Sequence, residues 1–132
     1  MIVLDASAAL ELLLATPVGL SVAGRISDLD ETLHAPHVID LEVAQVLRRY
    51  VRSGVVRLDE AEAALMDLAE LDLHRYAHVP LFPRLWQLRE NLSAYDAAYV
   101  ALAEALGAAL LTTDARLAGA PGHDAKVEVI GP

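Results

Sequence analysis

Two short apolar runs far apart in the chain each end in an aspartate. Ile2-Val3-Leu4 runs into Asp5, and Leu110-Leu111-Thr112-Thr113 runs into Asp114. Short runs with no polar alternation read as strands buried on both faces. Longer helical patterns separate the strand candidates. Residues 7–14 read as a helix stopped by Thr16-Pro17, and residues 18–26 as a second. Residues 32–35 are a strand candidate ahead of Pro36. From Pro36 a long helix follows, with Ile39, Val43, Val46, Leu47 and Tyr50 at i, i+3/i+4, i+7 spacing, and Ser53-Gly54 ends it. Residues 59–71 form an acidic, Ala-rich amphipathic helix, 75–79 a strand and 83–92 a helix. Ser93 opens a helix that runs to Gly107, a natural residue just past a helix end. Residues 108–113 and 126–130 are the last strands, with a turn at Asp114. Strands joined by helices imply parallel pairing and right-handed crossovers. The expectation is an α/β fold with helices on both faces of a parallel sheet, and ligands at the carboxyl ends of its strands.

The 132 residues show no linker, repeat or low-complexity tract, so one domain is expected over 1–132. There is no Cys, which removes disulfides, thiolate metal ligands and a cysteine nucleophile. No apolar run approaches the ~20 residues that span a bilayer. Residues 1–5 lack the basic start of a signal peptide, and a cytoplasmic protein with no membrane association is expected. The formal net charge of −9 disfavours coating nucleic acid by charge alone, but not nucleic-acid chemistry through divalent cations, which need carboxylates. The 55% hydrophobic fraction excludes disorder and leaves apolar surface for a partner or a second copy.

Four acids stand where a solvated acid would not. Asp5 and Asp114 sit at the carboxyl ends of buried strands, although each also suits a helix N-cap or a turn. Glu42 lies at the edge of the core-facing stripe of its helix, and no cation stands three or four residues away. Asp96 occupies the last position of a capping-box pattern, Ser93-Ala94-Tyr95-Asp96. It also opens a helix that is apolar nearly all round, so its first turn belongs near the sheet rim. Brought together without a counter-ion, four such acids repel one another. A hard cation resolves the conflict, since Mg²⁺ or Mn²⁺ takes oxygen ligands in octahedral geometry, at about 2.0–2.1 Å for Mg²⁺. Ser7 and Thr112 carry hydroxyls beside two of the acids and can bond a carboxylate, a metal-bound water or a phosphate.

These residues resemble the PIN-domain ribonucleases, specifically the VapC toxins of type II toxin–antitoxin pairs. The resemblance is carried by Met1-Ile2-Val3-Leu4-Asp5-Ala6-Ser7-Ala8, by Pro36 and Glu42, by residues 95–103 (YDAAYVALA), and by residues 110–117 (LLTTDARL). The segments keep the family's order over nearly the whole chain; residues 55–92 carry little of the match. The resemblance implies a three-layer α/β/α sandwich with sheet order 3-2-1-4-5. It also implies an endoribonuclease that uses Mg²⁺ or Mn²⁺ on an acidic quartet, here Asp5, Glu42, Asp96 and Asp114, with Ser7 and Thr112 in support. It further implies a homodimer silenced by a cognate antitoxin.

The remaining candidates read as follows. Arg116, two residues past Asp114, can touch a phosphate or serve as a turn residue. Arg48, Arg49 and Arg52 follow Glu42 on its helix and read as a solvated face rather than an RNA track. Tyr95 and Trp86 can stack on bases, but core packing is the expectation for both. The five histidines show no metal-ligand spacing. A receiver-type phosphate switch fails for want of a lysine at the end of a late strand. An Asp-x-Asp phosphatase fails because Ala6-Ser7 follows Asp5. A non-catalytic PIN-fold module that acts through its protein partner is the alternative.

Overall fold

The computed structural model describes residues 1–131. Five strands form one parallel sheet: β1 (Ile2–Leu4), β2 (Leu33–Pro36), β3 (Leu73–Tyr76), β4 (Ala109–Thr112) and β5 (Val127–Val129), in the order β3-β2-β1-β4-β5. This is the expected topology. The chain moves outward from β1 through β2 to β3, then returns to β1's other side for β4 and β5. The order therefore reverses between β1 and β4, the point where open α/β sheets bind ligands. Register fixes what lies there. Leu4 pairs with Leu111, and the Asp5 amide donates to the Leu111 carbonyl at 3.1 Å. The residues after the two strands, Asp5 and the 112–114 segment, thus end side by side at the carboxyl rim.

Right-handed crossovers put the connecting helices in two layers. One holds α1 (Ala6–Leu13), α2 (Pro17–Arg25), α3 (Val38–Arg52) and α4 (Leu58–Glu70), where α1, α3 and α4 pack on one another. The other holds α5 (Phe82–Gln87) and α6 (Ala94–Leu106), which pack together. Helix α6 is buried along Ala97–Ala103, as its nearly all-round apolar sequence requires, and rests on β1, β2 and β4. Ser93 caps its start and Gly107, at φ 63°, closes its end in the left-handed conformation.

Several boundaries differ from the sequence expectation. The strand expected at 75–79 is Leu73–Tyr76, because it pairs residue for residue with β2 and ends opposite Pro36, which has no N–H to continue the ladder. A short 3₁₀ turn, Val79–Leu81, follows. The helix expected at 83–92 stops at Gln87, and residues 88–91 turn instead. The turn at Asp114 becomes a short helix, α7 (Ala115–Gly119), with Asp114 as its N-cap. Trp86 and Tyr95 are not core residues: they are 66% and 59% exposed. Among the described residues no single helix is long and apolar enough to cross a membrane.

Candidate active site

Each acid reaches the carboxyl rim through local structure that its sequence dictates. Asp5 leaves β1 in an extended conformation and caps α1, accepting a hydrogen bond from the Ala8 amide at 3.0 Å. Its other partners come from side chains: Ser7 Oγ donates at 2.6 Å and Thr112 Oγ1 at 2.5 Å. Asp5 and Thr112 are both buried. Ser7 also accepts from the Thr113 amide, and Thr112 from the Asp114 amide, each at 3.0 Å. The two hydroxyls therefore tie the end of β1 to the end of β4 and fix both oxygens of Asp5.

Glu42 projects from the second turn of α3 and Asp96 from the first turn of α6. Both line one cavity of about 310 Å³ with Asp5, Asp114 and Ser7. All four sequence-selected acids are thus brought to one place. Thr112 stands behind Asp5 rather than in the cavity wall. Arg116 lies outside it, largely in solvent, with its guanidinium forked on Asp114 (Nε to Oδ1 3.0 Å, Nη2 to Oδ2 2.7 Å). Among the described residues, no three His, Asp or Glu side chains stand close enough to form a ready-made metal cage. The acids share a cavity without closing around its centre.

Electrostatics separates the four. Burial raises the pKa of Asp5 above the ordinary carboxylate value; its hydroxyl and amide donors oppose this, and the Asp96 charge adds to it. Burial likewise raises Glu42, against a hydrogen bond from Tyr99 and with the charges of Asp96 and Asp5 pushing the same way. Asp96 is raised by burial and then by the Asp114 charge, with Arg116 offsetting part of the effect. Asp114 alone is lowered, chiefly by its hydrogen bond from Arg116. Three acids are therefore held partly desolvated within range of one another's charge. The donor set is oxygen only, and no histidine lines the cavity. Such a set fits a hard divalent cation and not a zinc-type ligand field.

Sequence reasoning missed several members of this site. Tyr99, 1% exposed, donates its hydroxyl to Glu42 Oε1 at 2.7 Å, and burial, with that carboxylate adding to it, pushes the phenol pKa far up. The clue was in the sequence. A Tyr inside an otherwise apolar buried helix must find a partner for its hydroxyl. Glu11, which accepts from the Thr16 hydroxyl, and Arg49 also line the cavity; nothing in their local pattern distinguishes them.

The chain is similar to known proteins over almost its whole length. The PIN domain family model matches residues 2–122. Ribonuclease VapC12 of Mycobacterium tuberculosis is 43% identical over 130 residues, covering 98% of this chain and 99% of the relative. Two solved structures share the fold. PAE2754 from Pyrobaculum aerophilum has a TM-score of 0.71 at 24% identity, over 97% of this chain and 83% of that one. VapBC2 from Rickettsia felis, bound to a DNA fragment from its promoter, has a TM-score of 0.70 at 14% identity, over 98% of both chains. The chain with these four rim carboxylates belongs to the PIN domain family, in its VapC group.

Proposed function

We propose that the chain is an endoribonuclease toxin that hydrolyses RNA phosphodiester bonds with Mg²⁺ or Mn²⁺ and is silenced by a cognate antitoxin. One observation carries this reading: four separate elements deliver Asp5, Glu42, Asp96 and Asp114 to one oxygen-lined cavity at the sheet's switch point. These four residues would hold the ion. When bound, a divalent cation offsets the charge of the scissile phosphate and brings the pKa of a coordinated water toward neutrality.

The remaining roles belong to the chain. Asp5 is pre-oriented by Ser7, Thr112 and the Ala8 amide, so its oxygens need no reordering. Tyr99 holds Glu42 in place. Asp96, made more basic than an ordinary aspartate by burial and by the Asp114 charge, orients the attacking water and takes its proton. Arg116 steadies Asp114 and is close enough in sequence to meet a substrate phosphate. The chain acts as one domain in the cytoplasm and pairs as a homodimer. Leu20, Leu58 and Met66 are large apolar side chains left exposed, as a chain with a protein partner would have. The antitoxin docks a helical segment and offers the carboxylates a basic side chain.

The test is cleavage of a structured RNA by purified protein. Cutting is expected with Mg²⁺, abolished by chelator and restored by added metal. Asp5→Asn should both stop cutting and weaken Mn²⁺ uptake in calorimetry. An Asp5→Asn protein that cuts like wild type, or a wild type that takes up no ion, sinks the reading and leaves the non-catalytic module.

A further inference from the structure

Six of the nine arginines stand within ion-pair distance of a carboxylate: Arg25, Arg57, Arg75, Arg84, Arg89 and Arg116. Among the described residues, Arg48, Arg49 and Arg52 have no such partner. In a chain of net charge −9, acids are in large excess, so unpaired cations are not the default. All three are exposed and all lie on the second half of α3. Arg52 follows Arg48 by four residues and Arg49 by three, so the three guanidinium groups are surface neighbours. They start about 9 Å along the axis from Glu42, at ~1.5 Å per residue.

A groove of about 590 Å³ runs along this part of α3. Arg48 and Arg49 line it from the helix, with exposed Leu41, and Tyr95 closes it from the start of α6. Glu42, Val46 and Arg49 line both this groove and the carboxylate cavity, so the two are continuous. Tyr95 immediately precedes Asp96. The groove thus combines adjacent cations, a solvent-facing aromatic ring and an open end at the four acids. Single-stranded nucleic acid is bound by this combination: cations follow the backbone and a flat ring stacks on a base. A polyanion approaching so acidic a protein also needs a local positive strip, because local potential rather than net charge guides it.

We propose that this groove seats the RNA strand flanking the scissile phosphate, with Arg48 and Arg49 on its phosphodiester backbone, Tyr95 stacked on one of its bases, and Arg52, one turn further along α3 and outside the groove's lining, meeting the backbone as the strand leaves it. The proposal rests on the ribonuclease reading and extends it. It reverses the expectation of an idle solvated face. Because the contacts are to phosphate and to a base's flat face, they set position rather than sequence.

The test measures binding of labelled single-stranded RNAs of several sequences, in Mg²⁺, across a salt series. It uses an Asp96→Asn background so that binding needs no cleavage. The combined Arg48→Gln, Arg49→Gln, Arg52→Gln variant should weaken binding about equally for every RNA. It should also reduce the log–log salt slope by roughly 2, at ~0.7 per phosphate contact on a single strand. Tyr95→Ala should lower affinity roughly tenfold without changing the slope. Lys126→Gln, which removes one positive charge at the opposite rim as Arg49→Gln does beside the groove, should change neither. Circular dichroism of each variant checks that α3 is intact, and Arg49→Gln alone should show about a third of the slope change. Unchanged affinity and slope in the triple variant overturn the proposal. So does a variant that binds RNA normally but changes its sedimentation or its complex with the antitoxin, since the groove is then a protein interface. Cleavage by the wild type separates the two readings. If it cuts while the variants bind normally, the groove fails alone; if it does not cut but the variants lose binding, the ribonuclease reading fails alone.

Discussion

Helix α6 carries one acid near each end, and their surroundings drive them opposite ways. Asp96, in the first turn, has its pKa raised by burial and by the Asp114 charge. Glu104, in the last turns, is lowered, chiefly by hydrogen bonds from the Arg84 guanidinium at 2.7 and 2.9 Å, with the Asp124 amide adding a third at 2.8 Å. The helix dipole predicts the reverse, favouring negative charge at the start and disfavouring it at the end by about 0.3–1 kcal/mol. It loses at both ends. A forked charged pair outweighs it at Glu104, and desolvation beside a like charge outweighs it at Asp96. The amino rim of the sheet is thus electrostatically settled, its acid matched by a cation. At the carboxyl rim, three acids face other acids. Carboxylates perturbed in this way, by burial and by like charges, concentrate where chemistry is done.

The largest expected effect tests that contrast directly. Asp96→Asn and Glu104→Gln are matched changes, each removing a charge and keeping the shape. Asp96→Asn should lower the RNA cleavage rate on the order of 10²–10⁴-fold, the usual loss for a missing general base. Glu104→Gln should stay within a few-fold of wild type. Comparable losses from the two would mean that the acids at the carboxyl rim have no privileged role.

Much of this contrast was legible in the sequence, and the illegible part has a physical cause. The parallel topology follows from short buried strands spaced by helices, and the rim position of Asp5 and Asp114 follows from their place after apolar runs. Asp96 was legible because Ser93 and Gly107 delimit α6 so clearly. What stayed hidden depends on contacts between distant elements. Arg84 and Glu104 are 20 residues apart in sequence and meet only because α5 packs on α6. Strand β3 took its ends from pairing with β2, a partner that its own residues do not name. Trp86 and Tyr95 are expected inside because large aromatic rings usually are; both stand exposed, one on α5 and one in the first turn of α6.

The amino rim is expected to show its role in stability instead. The Arg84 guanidinium bonds Glu104, Gln87 and the Gly122 carbonyl together, joining α5, α6 and the 120s loop. Arg84→Ala leaves Glu104, 15% exposed, without its cation. A loss of about 1–2 kcal/mol is expected, allowing for partial solvent screening of the pair. It should appear as a lower urea midpoint at unchanged slope, with cleavage preserved. An unchanged midpoint would mean that the amino rim is no more settled than the carboxyl rim.

The smallest effect is the most discriminating, because its sign differs between the two ends. Asp96 is raised above its ordinary value of 3.8. In the window between the ordinary and raised values, the unfolded chain has lost its proton while the folded chain keeps it. Stability therefore falls as pH climbs through that window and stays lower above it. Asn has no proton to lose, so metal-free Asp96→Asn should unfold at higher urea than wild type at about pH 7, and the gain should vanish below about pH 4. Glu104 runs the other way. Its lowered pKa gives stability that is complete above its ordinary value of 4.5 and is lost as pH falls through the folded value. Glu104→Gln should therefore be the less stable protein at neutral pH, with the deficit closing in acid. The two variants start on opposite sides of wild type and approach it as protons are added; if both started on the same side, burial and pairing would not distinguish the ends of α6.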